Sequence, residues 1–205
     1  KLYLVPKKCS HKNLGYIDDI SALAYSSNYY QYLTAIKYVG KEYTFNMKLD
    51  TTADHFDYYR QVFSSYGLGT KTEIDLPNEQ IGVIGSKIAP DLLLNLAIGQ
   101  YDTYTPIELT QYINTIASGK RMAPVLLNKV VSPDNKIVYI SQVKVLNESI
   151  LDNESLNRIR KGFEAVFSYG TSKNHARGYK VAGKTGTSES FYDSDFDGRI
   201  DSETT

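Results

Sequence analysis

The sequence is poor in several features that would point to particular classes of protein. It contains a single cysteine, Cys9, which excludes an internal disulfide and a cysteine-rich zinc site. It has no net charge, because 23 basic and 23 acidic side chains balance, and this argues against nonspecific binding of nucleic acid or of an anionic membrane. It also lacks the run of about 20 apolar residues that a membrane-spanning helix requires.

The start of the sequence lacks a methionine and a signal peptide. It opens with Lys1, and no basic segment followed by an apolar one is present. We therefore expect the natural N-terminus, with any signal or membrane anchor, to lie outside these 205 residues. The composition, with 41% hydrophobic and 22% charged residues, is that of a folded globular domain.

Apolar spacing and helix-end signals predict several helices joined by polar loops. The predicted helices cover residues 17–25, 29–40, 57–65, 105–119 and 156–166, the last capped by Asn153 or Ser155. The apolar run 91–100 fits either a helix or a strand, since its periodicity does not decide between them.

Two segments predict antiparallel strands in the second half of the chain. Residues 124–131 and the alternating run 137–145 flank a Pro-Asp-Asn turn at 133–135. Helices and strands do not alternate regularly along the sequence. We therefore predict an α+β fold in which helices flank an antiparallel sheet.

Residues 178–185 permit two interpretations. Their sequence, Gly-Tyr-Lys-Val-Ala-Gly-Lys-Thr, matches the phosphate-binding pattern G-x-x-x-x-G-K-[ST], which would make the protein a nucleotide binder. That loop requires an apolar strand before it, small residues inside it and a helix after it. None of these three features is present, so we favour a strand over residues 179–187 instead.

As a strand, this segment would suit a substrate-binding edge. Gly183 and Gly186 would let a substrate backbone approach closely. Lys184 and Thr185 would offer an ammonium and a hydroxyl to a carboxylate, and the N–H of Thr187 would face a developing oxyanion.

The same residues bring out a family resemblance. Residues 182–187, Ala-Gly-Lys-Thr-Gly-Thr, resemble the Lys-Thr-Gly motif of penicillin-binding proteins and serine β-lactamases. Residues 26–28, Ser-Ser-Asn, are similar to the Ser-x-Asn motif of that family and lie between two predicted helices. The 158 residues from Ser26 to Lys184 suit the class B, monofunctional transpeptidases. Stretches typical of that class occur at residues 66–79, 97–100 and 104–109.

The resemblance implies a fold and an activity. The fold would be that of the penicillin-binding-protein and serine β-lactamase transpeptidases. The activity would be that of a D,D-transpeptidase that needs no cofactor: a serine attacks the D-Ala-D-Ala end of a peptidoglycan stem peptide, and β-lactam antibiotics acylate the same serine. It also implies that the protein lies on the outer face of a bacterial cell membrane and is held there by an N-terminal anchor helix. Other cell-wall synthesis proteins would be its partners, and nucleic acid would not.

The resemblance also implies roles for individual residues. Ser26 would take part in proton transfer to the leaving amine, and Asn28 would hydrogen-bond the amide of the acyl donor. Substrate binding would fall to Lys184, Thr185, Gly186 and Thr187, with Lys184 and Thr187 also catalytic. A structural interpretation of residues 26–28 as a helix N-cap is compatible with these roles.

The first motif of the family, Ser-x-x-Lys, does not occur where the resemblance requires it. Its one match, Ser141 to Lys144, lies downstream of Ser26 in the predicted strand 137–145, where residues three apart point to opposite faces. We reject it as the nucleophile. Residues 1–205 are therefore expected to be a partial transpeptidase domain, lacking the nucleophile upstream and the last strands downstream, and inactive alone. The alternative is a non-catalytic β-lactam-sensing domain of the same fold.

Four acidic residues near the end suggest a weak calcium candidate. They match ligand positions of a calcium-binding loop, but Thr204 stands where the closing carboxylate belongs. We therefore favour a solvated acidic turn and predict no metal site at Asp193, Asp195, Asp197 and Asp201.

Overall fold

The structure is a computed structural model that describes residues 14–175, 178–187, 190–192 and 202–204, the last two ranges as backbone alone. The helices are α1 (Asp19–Ala24), α2 (Asn28–Tyr38), α3 (Ala53–Ser65), α4 (Pro90–Ala97), α5 (Pro106–Ser118) and α6 (Asn153–Ser168). The strands are β1 (Lys120–Met122), β2 (Lys129–Val131), β3 (Ile137–Ile140), β4 (Val145–Glu148), β5 (Ser190–Tyr192) and β6 (Ser202–Thr204). None of the described helices combines the length and the apolar character needed to cross a membrane.

Local side-chain hydrogen bonds decide where the helices begin. Ser27 caps α2, with its Oγ accepting the N–H of Tyr30 at 3.3 Å. Thr105 and Glu108 form a capping box at the start of α5, which ends at Gly119 in the left-handed conformation, as predicted. The cap of α6 is Asp152, rather than the predicted Asn153 or Ser155.

The apolar run 91–100 forms a helix because it is buried on two sides. Leu94 of α4 packs with Ile36 of α2 in one cluster. Leu93 and Leu96 pack with Phe56 of α3 in another. Two distinct faces of one short segment therefore contact helices, and this contact on two sides resolves the ambiguity of its sequence.

A close contact joins the first helix to the last. Gly162 of α6 faces Leu23 of α1, and a Cβ at Gly162 would lie 2.6 Å from the Leu23 side chain. Arg158 donates hydrogen bonds to the carboxylate of Asp19 at the edge of the same interface. The end of α1 is therefore held against α6, although they are far apart in sequence.

A buried carboxylate connects the loop after α3 to the start of α5. Glu108 is 1% exposed. Its Oε1 accepts the N–H of Gly69 at 2.8 Å, and its Oε2 accepts the N–H of Gly82 at 3.1 Å. The same Oε2 accepts the N–H and the hydroxyl of Thr105 at 2.6 and 2.8 Å. Four donors and the positive end of the α5 dipole thus compensate the buried charge.

A second buried carboxylate holds the segment between α3 and α4. Arg60 of α3 donates two hydrogen bonds of 2.9 Å to the fully buried side chain of Asp102. Gly85 donates its N–H to Asp102 and accepts a hydrogen bond from Arg60. The hydrogen bond to Asp102 raises the pKa of Arg60. This segment has no regular structure, and these pairings satisfy its backbone instead.

Strand pairing is antiparallel throughout the described residues, as predicted. The pairs are β1 with β4, β2 with β3, and β5 with β6. They form three separate two-stranded sheets in the described part of the chain, not the one sheet expected. Helices with antiparallel strands confirm the α+β fold.

The strand predictions were too long in two places. Residues 124–128 are not strand, because the carboxylate of Asp75 accepts the N–H groups of Leu126 and Leu127 at 2.8 and 2.9 Å. The predicted strand 137–145 is divided between β3 and β4, and residues 141–144 connect them.

The predicted strand over residues 179–187 is wrong. The described residues of this segment form neither strand nor helix. Its neighbour is α6: Gly183 donates its N–H to the carbonyl of Phe163 at 3.2 Å, and a Cβ at Gly183 would lie 3.3 Å from the ring of Phe167. Alternating apolar residues form a strand only when a second strand is available for pairing. Here the segment lies beside helix α6 instead.

Candidate active site

The turn between α1 and α2 places a serine hydroxyl at the junction of the two helices. Ser26 adopts the left-handed conformation, with φ of 53°. The backbone around it is fixed on both sides, since Ser26 donates its N–H to Leu23 at 3.2 Å and Ser27 donates to Ala22 at 2.9 Å. A left-handed non-glycine residue costs about 1 kcal/mol or more, so the turn holds Ser26 in a conformation that the residue itself disfavours.

The ammonium group of Lys184 contacts this serine. Its Nζ donates to the Oγ of Ser26 at 2.6 Å and to its neighbour's carbonyl, that of Thr185, at 2.9 Å. The side chain is exposed, yet its partial desolvation lowers the pKa of Lys184. The structure therefore brings together two predicted site residues that are 158 positions apart.

The hydroxyl of Thr185 contacts a residue that sequence reasoning did not identify. The Oγ1 atoms of Thr185 and Thr171 are 3.1 Å apart. Thr171 follows the end of α6 and donates its N–H to the carbonyl of Ala24 at 3.0 Å. The only signal in the sequence is Gly170 directly before it, which marks the end of a helix but not a site.

The other predicted site residues lie at the surface. Asn28 is the first residue of α2 and is exposed. Gly186 and Thr187 continue the segment after Thr185 and are also exposed. A Cβ at Gly186 would meet no other part of the described chain within 4 Å, so the described residues leave this position open to an approaching ligand. The contacts of the site thus centre on Ser26, Lys184 and Thr185.

The Ser-x-x-Lys match at 141–144 is engaged elsewhere. Its segment is not a strand, so the argument from opposite strand faces does not apply. Lys144 instead forms an ion pair with Glu73, and Ser141 donates its N–H to the carbonyl of Asn128 at 2.8 Å. Lys144 therefore has a carboxylate as its partner, which supports rejecting Ser141 as the nucleophile.

The calcium candidate and a cavity beside α3 do not add to this site. Asp193, Asp195, Asp197 and Asp201 fall outside the described residues, and within the described ranges no group of three or more potential ligands is suited to a metal ion. A cavity of about 450 Å³ beside α3 is lined by Arg60, Phe63, Leu68 and Tyr104 among others, and by none of the predicted site residues. This cavity is therefore separate from the candidate site.

The left-handed conformation of Ser26 leads to a stability prediction. Ser26→Gly and Ser26→Ala both remove the hydroxyl, but only glycine adopts a positive φ without a steric penalty. We expect the Gly variant to have a free energy of unfolding about 1 kcal/mol higher than the Ala variant. Urea unfolding of the two variants measures the difference, and equal stabilities would show that the backbone at Ser26 is not left-handed.

Comparisons with known proteins agree on one family. Residues 7–200 match the penicillin binding protein transpeptidase domain. Penicillin-binding protein 2A of Bacillus subtilis is 43% identical over 195 residues, which are 91% of this chain and 27% of that protein. Penicillin-binding protein 2B of Streptococcus pneumoniae strain D39 is 33% identical over 190 residues, 85% of this chain and 28% of that protein.

A solved structure has a similar fold. Penicillin-binding protein 2B from Streptococcus pneumoniae strain R6 superposes with a TM-score of 0.78 at 31% identity, covering 87% of this chain and 31% of that one. The chain thus spans less than a third of the length of each of these three proteins.

Proposed function

This chain belongs to class B of the penicillin-binding-protein transpeptidase family, a family of peptidoglycan synthesis enzymes, and on that premise we propose that it forms part of a serine-type D,D-transpeptidase. The observation that supports the proposal is the 2.6 Å contact between the Lys184 ammonium and the Ser26 hydroxyl. It joins the family's second and third motifs in one exposed site. Peptidoglycan stem peptides are the substrates, and β-lactams acylate the same enzyme.

The carboxylate of the substrate binds first. Lys184 supplies a positive charge, and Thr185 beside it supplies a hydroxyl that can donate to the terminal carboxylate of D-Ala-D-Ala. Gly186 adds no side chain, so the peptide can lie against this segment. Asn28 on the neighbouring helix donates to the amide of the acyl donor. A β-lactam binds in the same way, because it also carries a carboxylate next to its reactive amide.

Acyl transfer then proceeds in two steps. A nucleophilic serine attacks the carbonyl carbon of the penultimate D-Ala and gives its proton to the lysine of its own Ser-x-x-Lys segment, while the N–H of Thr187 donates to the developing oxyanion. The amide bond breaks, and this proton passes through the Ser26 hydroxyl, which Lys184 keeps oriented, to the leaving amine. The amine of a second stem peptide then attacks the ester, forming the cross-link and restoring the serine.

The nucleophile comes from a Ser-x-x-Lys segment other than Ser141 to Lys144, the one match in these 205 residues. Residues 1–205 thus act as a partial domain within a longer protein, as the greater length of the relatives suggests. That protein works on the outer face of the cell membrane with an N-terminal anchor and with other cell-wall synthesis proteins.

The proposal predicts that a polypeptide of these 205 residues forms no acyl-enzyme. After incubation with a fluorescent penicillin, we expect no labelled band on a denaturing gel and no mass increase in the intact protein. The physical reason is that Ser141, the one serine in a Ser-x-x-Lys sequence, has its lysine paired with Glu73. A stoichiometric adduct on this polypeptide would refute the claim that its nucleophile lies elsewhere.

The longer protein provides the positive control. It should be labelled, and turnover of a stem-peptide substrate should then separate a transpeptidase from the alternative, a β-lactam sensor that is acylated without cross-linking. A longer protein with an intact Ser-x-x-Lys segment that is never labelled would contradict the proposed function.

A further inference from the structure

Thr171 connects the two halves of the proposed site. One half is the turn at Ser26, between α1 and α2, and the other is the segment with Lys184 and Thr185. Thr171 lies just after α6 and contacts both, through its backbone on one side and its side chain on the other. It matches none of the family motifs on which the proposed function rests.

The backbone of Thr171 is fixed against the end of α1. Its N–H donates to the carbonyl of Ala24 at 3.0 Å, two residues before Ser26. Gly170 allows this approach, because a Cβ there would lie only 2.2 Å from the same carbonyl oxygen. The position of the Thr171 side chain is therefore set by the same helix end that leads into the Ser26 turn.

The side chain of Thr171 contacts the Thr185 hydroxyl at 3.1 Å. A hydroxyl has one proton to donate and can accept two hydrogen bonds. If Thr171 donates to Thr185, the single proton of Thr185 is directed away from Thr171 and is available to a ligand. Both threonines are exposed, so without this contact water would compete for the Thr185 hydroxyl.

We propose that Thr171 is a positioning residue that orients the Thr185 hydroxyl toward the carboxylate of the bound stem peptide or β-lactam. The inference rests on the proposed function, because it assumes that Thr185 binds this carboxylate. It assigns Thr171 a role in substrate selection: the residue favours ligands that carry the carboxylate and has no effect on ligands that lack it.

The test uses Thr171→Val and Thr171→Ser in the longer protein. Valine has the shape of threonine and keeps the backbone N–H bonded to Ala24, but it has no hydroxyl, whereas serine retains one. We expect Thr171→Val to lower the second-order acylation rate constant for benzylpenicillin about fivefold to tenfold, the effect of one hydrogen bond. Thr171→Ser should restore most of the rate.

A ligand without the carboxylate separates positioning from a general structural role. With the methyl ester of benzylpenicillin, the rate should be the same in Thr171→Val and in the wild type. Adding Thr171→Val to Thr185→Val should have no further effect on acylation by benzylpenicillin. Equal losses with the acid and the ester, or an additional loss in the double variant, would overturn the proposed role, as would an unchanged rate with the acid.

The outcomes also distinguish this inference from the proposed function. If Thr185→Val slows acylation by benzylpenicillin and Thr171→Val does not, the role of Thr171 is wrong and the function stands. If neither Thr185→Val nor replacement of Lys184 slows acylation, or the wild type is not acylated, the proposed function itself is wrong and the role of Thr171 falls with it.

Discussion

Lys184→Met in the longer protein is expected to slow acylation by benzylpenicillin about a hundredfold or more, the typical effect of removing one electrostatic stabiliser from an active site. Methionine retains the length and the apolar part of the side chain. It removes the charge that, in the proposed function, attracts the ligand carboxylate, and it removes the N–H donor to Ser26 Oγ, 2.6 Å away. Stopped-flow or gel-based acylation kinetics measure the effect.

Lys180→Met is the matched control for this prediction. Lys180 is exposed in the same segment, so its replacement removes an equal charge from a position outside the site. We expect its acylation rate to stay close to that of the wild type. Similar losses in both variants would mean that Lys184 acts only through the overall positive charge of the segment, contrary to the proposed contact with Ser26.

The pH dependence of acylation provides a second measure of Lys184. In its proposed role Lys184 acts as the ammonium, and desolvation lowers the pKa of this lysine from its ordinary value of 10.5. The rate should therefore fall as pH rises through this lowered pKa, at a pH below that of an ordinary lysine. Lys184→Arg should move the alkaline fall to higher pH, because a guanidinium stays protonated.

Glu108→Ala is expected to lower the free energy of unfolding by about 3 kcal/mol or more, since buried donors that lose their acceptor cost about 1 to 3 kcal/mol each. The carboxylate accepts hydrogen bonds from Gly69, Gly82 and Thr105, and alanine supplies no acceptor for them. Urea unfolding of the 205-residue chain, followed by circular dichroism, measures the loss.

The control variant for Glu108 is Glu148→Ala. Glu148 is an exposed glutamate whose side chain lies 3.8 Å from Lys120 at the surface. Its replacement should change the unfolding free energy by no more than about 0.5 kcal/mol. A loss in Glu108→Ala as small as that of the control would show that water, rather than Glu108, satisfies these backbone groups.

The helices were predictable where local signals are complete. The predicted helix 105–119 agrees with α5 because proline, a capping box and a terminal glycine all act within its own sequence. The helix predicted from residue 57 begins earlier, at Ala53. Its start was not recognised because His55 occupies the capping-box position that is usually Glu or Gln. The cap of α6 is Asp152, one residue before Asn153 and three before Ser155, the two predicted caps, because Asp152 is itself a good N-cap.

The strands were less predictable because their pairing depends on distant residues. Asp75 captures the N–H groups of Leu126 and Leu127, 51 and 52 residues away, and no local pattern shows this. The segment 179–187 has the alternation of a strand but lies beside α6. Alternating side chains show that a segment is suited to a strand, but a strand forms only if another strand lies beside it to pair with.

The candidate site was predictable as a set of residues but not as a geometry. Motif spacing identified Ser26, Lys184 and Thr185, and the structure brings these three together. Thr171 could not be found in this way, because its contact with Thr185 depends on how the end of α6 meets the end of α1. The roles of these residues in catalysis stay predictions until the kinetics above are measured.

The distance in sequence between Ser26 and Lys184 has a consequence for biosynthesis. The two side chains are 158 residues apart, and Arg158 meets Asp19 across 139 residues. Contacts of such long range form only after large loops close. During synthesis the N-terminal part of the chain leaves the ribosome first. The proposed carboxylate-binding surface therefore forms only after residue 184 has emerged and α6 has docked on α1. We therefore expect a nascent chain that ends before Lys184 to lack the proposed contacts with a β-lactam carboxylate.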